Sequence, residues 1–309
     1  MRFRIIIPIL LIGTHLNLHS QTYSIQNGVK RIIFLGNSIT YSGAYINYID
    51  LYFSLSHPDK NYEIINLGLP SETVSGLSET NHANGAFPRP VLSERLERLL
   101  TKTQPDLVFA CYGMNDGIYL SLDDQRFKKF KIGIEQLHRA VKAIGSEIIH
   151  LTPPVYDGPK DNSYSEVLQI YSDWLLGKSS SSQWKVADIH HPMKRELEYQ
   201  RLRDSNFTFA KDGVHPNEAG HFLIAKEILL YLGIKEYQEI ENIDNFLSQH
   251  KNGEQIWKGV KERQKILKDA WLTEVGHKRP RMNKGLEMAE AKRRISEINL
   301  KLQKLLKDL

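Results

Sequence analysis

Short apolar runs alternate with longer amphipathic stretches over the first three quarters of the chain. The apolar runs are rich in branched residues and poor in polar ones, which is typical of strands buried in a parallel sheet. They predict five strands, at residues 31–35, 62–67, 106–112, 147–151 and 184–189. Apolar residues at helical spacing predict helices at residues 43–55, 91–100, 124–144, 164–176 and 218–232.

This alternation of strands and helices predicts the fold class. Consecutive parallel strands need crossover helices, and strands this apolar need helices on both faces of the sheet. We therefore expect an α/β fold with a flavodoxin-like three-layer α/β/α arrangement and a five-stranded parallel sheet. By analogy with flavodoxin-like folds, the expected strand order is 2-1-3-4-5.

The pattern changes after residue 233, where no further strand is predicted. Residues 243–275 and 286–309 have helical patterns, which makes residues 234–309 a C-terminal helical extension of an α/β domain at 21–233. The last helix carries an apolar seam with spacings of three and four, formed by Met288, Ala291, Ile295, Ile298, Leu302, Leu305 and Leu309. Such a seam packs either on its own domain or against a second copy. We expect the former, as a helical hairpin in a monomer.

The first residues have the pattern of an export signal. Arg2 and Arg4 precede an apolar run at 5–12 that is too short to span a bilayer, and small and polar residues follow as far as Ser20. We expect residues 1–20 to be a signal peptide and the mature protein to be periplasmic or secreted. The alternatives are a first β-strand or an uncleaved anchor.

The composition and charge of the chain indicate which kinds of binding partner to expect. The chain of 309 residues is 41% hydrophobic and 25% charged, as in soluble globular proteins, and its one cysteine, Cys111, excludes an intrachain disulfide. The net charge of +5 comes from residues 251–309, where 16 Lys and Arg accompany 8 Asp and Glu, against 25 and 28 in the remainder. This basic tail has no nucleic-acid motif, so we expect no nucleic-acid partner. Contact of the tail with a membrane is not favoured either.

Ser38 is the first candidate for chemistry. It lies in the sequence GNSIT, where the first buried strand ends and a loop begins. The carboxyl ends of parallel strands are where ligands bind in open α/β sheets. A serine nucleophile needs a base, and Asp212 and His215 stand three residues apart in the sequence DGVHP. Taken alone, Ser38 also fits a helix N-cap, and an Asp-x-x-His pair also fits a structural turn.

Two further stretches follow strands at the same edge of the predicted sheet. Asn115, in GMND, could donate hydrogen bonds to an oxyanion without carrying charge, although a turn Asn explains the motif equally well. The stretch NLGLPSET, which contains Gly68 and Ser71, has small residues that let a backbone N–H approach a substrate oxygen.

Together these four stretches resemble the four sequence blocks of the SGNH hydrolases, the GDSL-like lipase/esterase superfamily. They occur in family order over about residues 30–232. The resemblance implies that Ser38 is the nucleophile, His215 the general base and Asp212 its orienting acid. It also implies an oxyanion hole formed by the Ser38 backbone N–H, a second-block backbone N–H and the Asn115 side chain. Neither nearby cysteines nor a His-x-x-x-His pair accompany His190 and His191, so we expect no metal and no other cofactor.

The sequence departs from the family pattern in the first and second blocks. Asn37 replaces an Asp that many members have, and Asn keeps the hydrogen bonding of that turn without the charge. Ser71 stands where many relatives have Gly, so its N–H can serve only if the backbone there adopts a suitable conformation. Gly68 is the alternative donor. Other polar residues of the long loop could line a substrate site, but we expect them to be solvated. They include Glu72, Glu79, His82 and Arg89.

The predicted function is that of an exported serine ester hydrolase working through an acyl-enzyme. Its partner would be a small-molecule or oligosaccharide ester. Export and a polar second-block loop favour removal of small acyl groups, such as acetyl, from carbohydrate. The alternatives are lipid acyl hydrolysis of the lysophospholipase or thioesterase kind and, less favoured because the four blocks are intact, a non-catalytic binding or scaffold protein.

Overall fold

The structure is a computed structural model that describes residues 22–158 and 163–307. Five parallel strands form one sheet in the order β2-β1-β3-β4-β5, which confirms the predicted fold and strand order. The predicted signal peptide at 1–20 lies outside the described residues. The strands are β1 (Arg31–Gly36), β2 (Glu63–Asn66), β3 (Leu107–Cys111), β4 (Glu147–Leu151) and β5 (Lys185–Ala187).

Ten α-helices surround the sheet in the described part of the chain. They are α1 (Ser38–Ser42), α2 (Ala44–Ser56), α3 (Leu96–Thr103), α4 (Asp124–Ala143), α5 (Tyr164–Ser182), α6 (His190–Arg201), α7 (Glu218–Tyr231), α8 (Ile243–Ser248), α9 (Gly253–Val275) and α10 (Met288–Lys307). Right-handed crossovers between parallel strands place α2 on one face and α3, α4 and α5 on the other. Helix α7 packs against α2, so it belongs to the first face.

The strands form the centre of the core because they are apolar on both sides. All five residues of β3 are buried, and Phe34 of β1 stacks on Phe109 of β3 with their ring centroids 4.7 Å apart. Cys111 is buried at the end of β3, and burial raises the pKa of its thiol to about 12. The cysteine is therefore a small core residue and not a reactive thiol.

The C-terminal helices pack on the sheet domain of the same chain. Helix α9 contacts α2, α3 and β2, and α10 packs along α9. Ala291, Ile298 and Leu302 of the apolar seam are buried in this hairpin. An ion pair between the partly buried Arg263 of α9 and the buried Asp50 of α2, with N and O atoms 2.7 Å apart, joins the hairpin to the domain. The hairpin thus covers the β2 side of the sheet.

One helical prediction was wrong. Residues 243–275 form two helices, because Asn252 adopts a left-handed φ of 63° and Gly253 approaches the Leu247 carbonyl so closely that a Cβ would lie 2.5 Å from its oxygen. Helix α6 was not predicted. Its sequence is largely charged and polar, and only His190, Met193 and Leu197 are buried, which leaves little apolar periodicity to detect.

None of the helices between residues 22 and 307 for which the structure gives coordinates combines the length and hydropathy of a bilayer-spanning helix.

Candidate active site

Ser38 lies at the junction between β1 and α1, over the carboxyl edge of the sheet. The side chain of Asn37 caps α1 by accepting a hydrogen bond from the Ile39 N–H at 3.0 Å, so the cap role does not fall to Ser38. Gly36 makes the turn possible, because a Cβ there would lie 2.8 Å from the Cys111 carbonyl oxygen. The Ser38 hydroxyl is therefore held at a tight junction while remaining available for other contacts.

The turn before α7 brings Asp212 and His215 to Ser38. The Nε2 atom of His215 lies 2.8 Å from Ser38 Oγ, and its Nδ1 atom lies 2.6 Å from Asp212 Oδ2. The other carboxylate oxygen, Oδ1, accepts backbone N–H groups of Val214 and His215 at 3.0 and 2.8 Å. These contacts form one continuous chain of hydrogen bonds from carboxylate to imidazole to hydroxyl.

The charge of Asp212 is well stabilised. Partial burial raises its pKa, but the hydrogen bonds from the His215 side chain and from two backbone N–H groups outweigh this and lower the pKa to about 2. Asp212 is therefore ionised at all ordinary pH values. It can hold the Nδ1–H tautomer of His215, which leaves Nε2 free to accept a proton from Ser38.

The site is open to solvent. The side chains of His215 and Asp212 are 52% and 56% exposed, and Ser38 is partly exposed. A cavity of about 340 Å³ between α2 and the C-terminal hairpin does not include any of these three residues. A solvent-exposed site can admit a substrate whose alcohol part is much larger than the bond to be cut.

Asn115 lies in the turn after β3 with its side chain fixed in orientation. Its Nδ2 atom donates to the Glu72 carbonyl oxygen at 3.2 Å, and its Oδ1 atom accepts from the Tyr119 hydroxyl at 2.8 Å. The neighbouring Asp116 is buried and accepts backbone N–H groups of Gly113 and Val74 at 2.9 and 2.8 Å. These bonds join the third sequence block to the second.

The structure distinguishes between the two candidate donors of the second block. The Gly68 N–H donates to Asn66 Oδ1 at 2.9 Å, and a Cβ on Gly68 would lie 2.3 Å from the Tyr41 nitrogen, so this group is enclosed and already bonded. Ser71 has a φ of 69°, which is the conformation that favours glycine. Within residues 22–158 and 163–307, nothing accepts the Ser71 N–H or the Ser38 N–H. The geometry therefore favours Ser71 over Gly68 as the second-block donor.

Glu72 is not solvated, contrary to the expectation for the long loop. Its carboxylate forms a fully buried, bidentate ion pair with Arg95, with both N–O distances at 2.7 Å. The Tyr112 hydroxyl donates to the same carboxylate at 2.7 Å, and Arg95 also donates to the Leu67 carbonyl at 2.8 Å. This buried cluster fixes the backbone that carries Ser71 and the Glu72 carbonyl.

The other polar residues of this loop bond within the loop, where His82 Nδ1 lies 2.9 Å from the Phe87 carbonyl oxygen. Arg89 forms a bidentate pair with Glu79, at 2.6 and 2.7 Å, and its guanidinium lies 5.4 Å from the ring centroid of Tyr119. This pair lowers the pKa of the Glu79 carboxyl, although burial opposes the shift. The Tyr119 ring lies 6.1 Å from the ring of Tyr156, which packs beside Gly213 of the Asp212 turn.

Sequence reasoning missed Tyr119, Arg95 and Tyr112. No sequence motif marks these three residues, because each of them acts through contacts with residues that are distant along the chain. Among the His, Cys, Asp and Glu side chains that the structure describes, no group of three is placed to hold a metal ion.

Comparisons with known proteins agree with this architecture. The chain is similar to Axe2, an acetylxylan esterase from Geobacillus stearothermophilus, at 19% identity and a TM-score of 0.53, over 69% of this chain and 96% of that one. It is similar to LAE5, an α/β hydrolase from the metagenome of Lake Arreo, Spain, at 18% identity and a TM-score of 0.53, over 69% of this chain and 98% of that one.

A third similar structure is a gut microbial diltiazem-metabolizing enzyme, at 22% identity and a TM-score of 0.56 over 69% of this chain. The match spans only 49% of that enzyme's length. At these identities the likeness concerns the fold. No curated protein matches the sequence significantly.

The sequence also matches a family model, that of the GDSL-like lipase/acylhydrolase family, over residues 34–223. The matched region is more than half of the chain and includes all four sequence blocks, from the turn at Ser38 to the turn at Asp212 and His215. The chain therefore belongs to the GDSL-like lipase/acylhydrolase family and is a serine hydrolase that acts on ester bonds.

Proposed function

We propose that this protein hydrolyses esters through a covalent acyl-enzyme, with Ser38 as nucleophile, His215 as general base and Asp212 as the residue that orients His215. The observation that carries this proposal is the continuous chain of hydrogen bonds from Asp212 through His215 to Ser38, with distances of 2.6 and 2.8 Å. Both distances suit proton transfer without rearrangement of the site.

The reaction takes place in two halves. In the first, Ser38 Oγ attacks the ester carbonyl carbon while His215 Nε2 takes the hydroxyl proton, and the imidazolium then gives that proton to the departing alcohol oxygen. In the second, a water molecule attacks the acyl-enzyme while His215 takes a proton from that water molecule. The C–O bond to Ser38 then breaks, and the proton returns to Ser38 Oγ as the carboxylic acid leaves.

Three donors stabilise the oxyanion that forms in each half. They are the Ser38 N–H, the Ser71 N–H and the Asn115 Nδ2 group. The amide of Asn115 cannot easily rotate, because Tyr119 holds its oxygen and the Glu72 carbonyl holds one of its N–H groups. Donors that are fixed before the reaction stabilise the transition state without a reorganisation cost.

We propose a small acyl group, such as acetyl, on a carbohydrate as the substrate. The open site supports a bulky alcohol part, and the tyrosine rings of Tyr119 and Tyr156 with the Arg89 guanidinium form a partly polar, aromatic rim that suits a sugar. Among the similar structures, Axe2 is an acetylxylan esterase. We further propose, from the signal-like residues 1–20, that the protein is exported. We also propose that it acts as a monomer, because α10 packs its apolar seam along α9 of the same chain.

A lipid ester is the rival substrate, because the basic C-terminal tail could attract an anionic membrane. A panel of p-nitrophenyl esters from acetyl to palmitoyl, together with acetylated xylooligosaccharides, separates the two. We expect kcat/KM to be highest for acetyl and to fall steadily with acyl length, with acetate released from the oligosaccharide. Highest activity on long chains would overturn the carbohydrate proposal. The Ser38→Ala variant is the control for enzyme-dependent release.

A further inference from the structure

The loop between α9 and α10, residues 276–287, reaches the edge of the active site. Arg279 in this hairpin loop donates from Nε to the Pro70 carbonyl oxygen at 2.9 Å. Its guanidinium also lies 5.4 Å from the ring centroid of Phe87, and Nη1 donates to the Pro280 carbonyl at 2.9 Å. The hairpin loop therefore contacts the second sequence block one residue before Ser71.

The contact falls on a β-turn of a particular kind. The Glu72 N–H donates to the Leu69 carbonyl at 3.1 Å, so residues 69–72 form a turn with Pro70 and Ser71 at its two central positions. Proline first and a positive φ second, here 69° at Ser71, define a type II turn. In a type I turn with the same ends, the central peptide faces the opposite way.

That central peptide is the group that matters for catalysis. The Pro70 carbonyl and the Ser71 N–H belong to the same planar peptide unit and point in opposite directions. A flip to type I would turn the Ser71 N–H away from the oxyanion. Serine, unlike glycine, has a Cβ that disfavours the type II conformation, so this chain needs a further interaction to hold the turn.

We propose that Arg279, supplied by the C-terminal extension, is a positioning residue that holds the Pro70–Ser71 peptide in the orientation that presents the Ser71 N–H to the oxyanion. Its positive charge at the carbonyl end also polarises the peptide and makes the N–H a stronger donor. This inference rests on the proposed acyl-enzyme mechanism, and it assigns the extension a role in the activity of the α/β domain.

The hairpin loop is anchored at both ends, as such a role requires. At its start, Arg98 of α3 donates to the carbonyl groups of Val275 and Gly276 at 2.7 and 3.2 Å. At its end, the Gly285 N–H donates to Thr273 Oγ1 at 2.7 Å, and a Cβ on Gly285 would lie 2.1 Å from the Asp269 carbonyl oxygen. A loop fixed in this way can hold Arg279 against Pro70.

Kinetics of Arg279→Met test the proposal, with Arg281→Met as the matched control that removes an exposed cation from the same loop. We expect Arg279→Met to lower kcat for p-nitrophenyl acetate about tenfold with KM within about twofold, since the lost interaction acts on the transition state. Arg279→Lys should recover most of the loss. Inhibition by a boronic acid, whose tetrahedral adduct occupies the oxyanion hole, should weaken by the same factor as kcat/KM.

A double variant distinguishes positioning from a general structural effect. Glycine adopts the type II turn without strain, so on a Ser71→Gly background the Arg279→Met change should lower kcat less than about threefold. An equal loss on both backgrounds, or an Arg279→Met variant with the kcat of Arg281→Met, would overturn the inference. Activity remaining in Ser38→Ala would instead overturn the proposed mechanism, so the two failures are distinguishable.

Discussion

Replacing Arg95 with methionine tests whether the buried Glu72–Arg95 pair holds the second sequence block. Both side chains are 0% exposed, and Arg95 makes three hydrogen bonds there, two to the Glu72 carboxylate and one to the Leu67 carbonyl. Methionine replaces the unbranched aliphatic part of the arginine side chain and removes all three hydrogen bonds. The Glu72 carboxylate would then be buried with only the Tyr112 hydroxyl as a side-chain donor.

The expected decrease in the free energy of unfolding follows from this loss of charge compensation. Removing one partner of a buried ion pair destabilises a protein by about 3–5 kcal/mol, because the remaining charge is left without compensation. The additional change Glu72→Gln removes that charge. The double variant should therefore regain most of the loss and end within about 2 kcal/mol of the parent protein.

Urea unfolding at pH 7, followed by circular dichroism, measures these free energies from the midpoint and slope. Arg293→Met is the control, because Arg293 forms only exposed ion pairs on α10 and its loss should leave the midpoint unchanged. An Arg95→Met variant that loses less than about 1 kcal/mol would refute the reasoning, as would a double variant that is less stable than Arg95→Met alone.

Three further predictions concern catalysis. Asn115→Ala should lower kcat by roughly 10²–10³ and, because it removes two hydrogen bonds of a buried side chain, lower the free energy of unfolding by about 1–3 kcal/mol. A change in activity confined to KM would make Asn115 a ground-state binding residue. Ser71→Ala should keep kcat within about threefold because the donor is the backbone N–H, whereas Ser71→Pro, which lacks an N–H and cannot adopt the φ of 69°, should lose activity at least as strongly as Asn115→Ala. Protonation of Asp212 should cause no loss of kcat/KM above about pH 3 in a pH–rate profile, because hydrogen bonds that outweigh burial hold its pKa at about 2.

The strands of this fold were predictable because each buried strand shows in the local sequence as a continuous apolar run. A run such as β3, with five consecutive buried residues, needs no knowledge of its neighbours to be recognised. The residues of the Asp212–His215–Ser38 chain were predictable as candidates because each lies in a short motif beside a strand or helix end. Helix α6 was missed since its buried positions are few and its remaining sequence is charged.

The supporting contacts could not be predicted because they are long-range. Glu72 and Arg95 are separated by 23 positions, and Arg279 and Pro70 by 209, so no local spacing relates them. Charged loop residues are usually solvated, which is why Glu72 was expected to be exposed. The conformation of Ser71 likewise depends on tertiary contacts, because nothing in the side chain of serine favours a positive φ.

Trapping of the acyl-enzyme tests the central claim most directly. The protein is mixed with an activated acetyl ester, quenched in acid within one turnover, digested and analysed by mass spectrometry, in parallel with Ser38→Ala and His215→Ala. The account predicts one acetyl group on the peptide that contains Ser38, no adduct in Ser38→Ala, and turnover reduced by about 10⁴-fold or more in each single variant, with the double variant no worse than either. Acetyl transfer to another residue, or turnover by Ser38→Ala comparable to that of the parent protein, would contradict it.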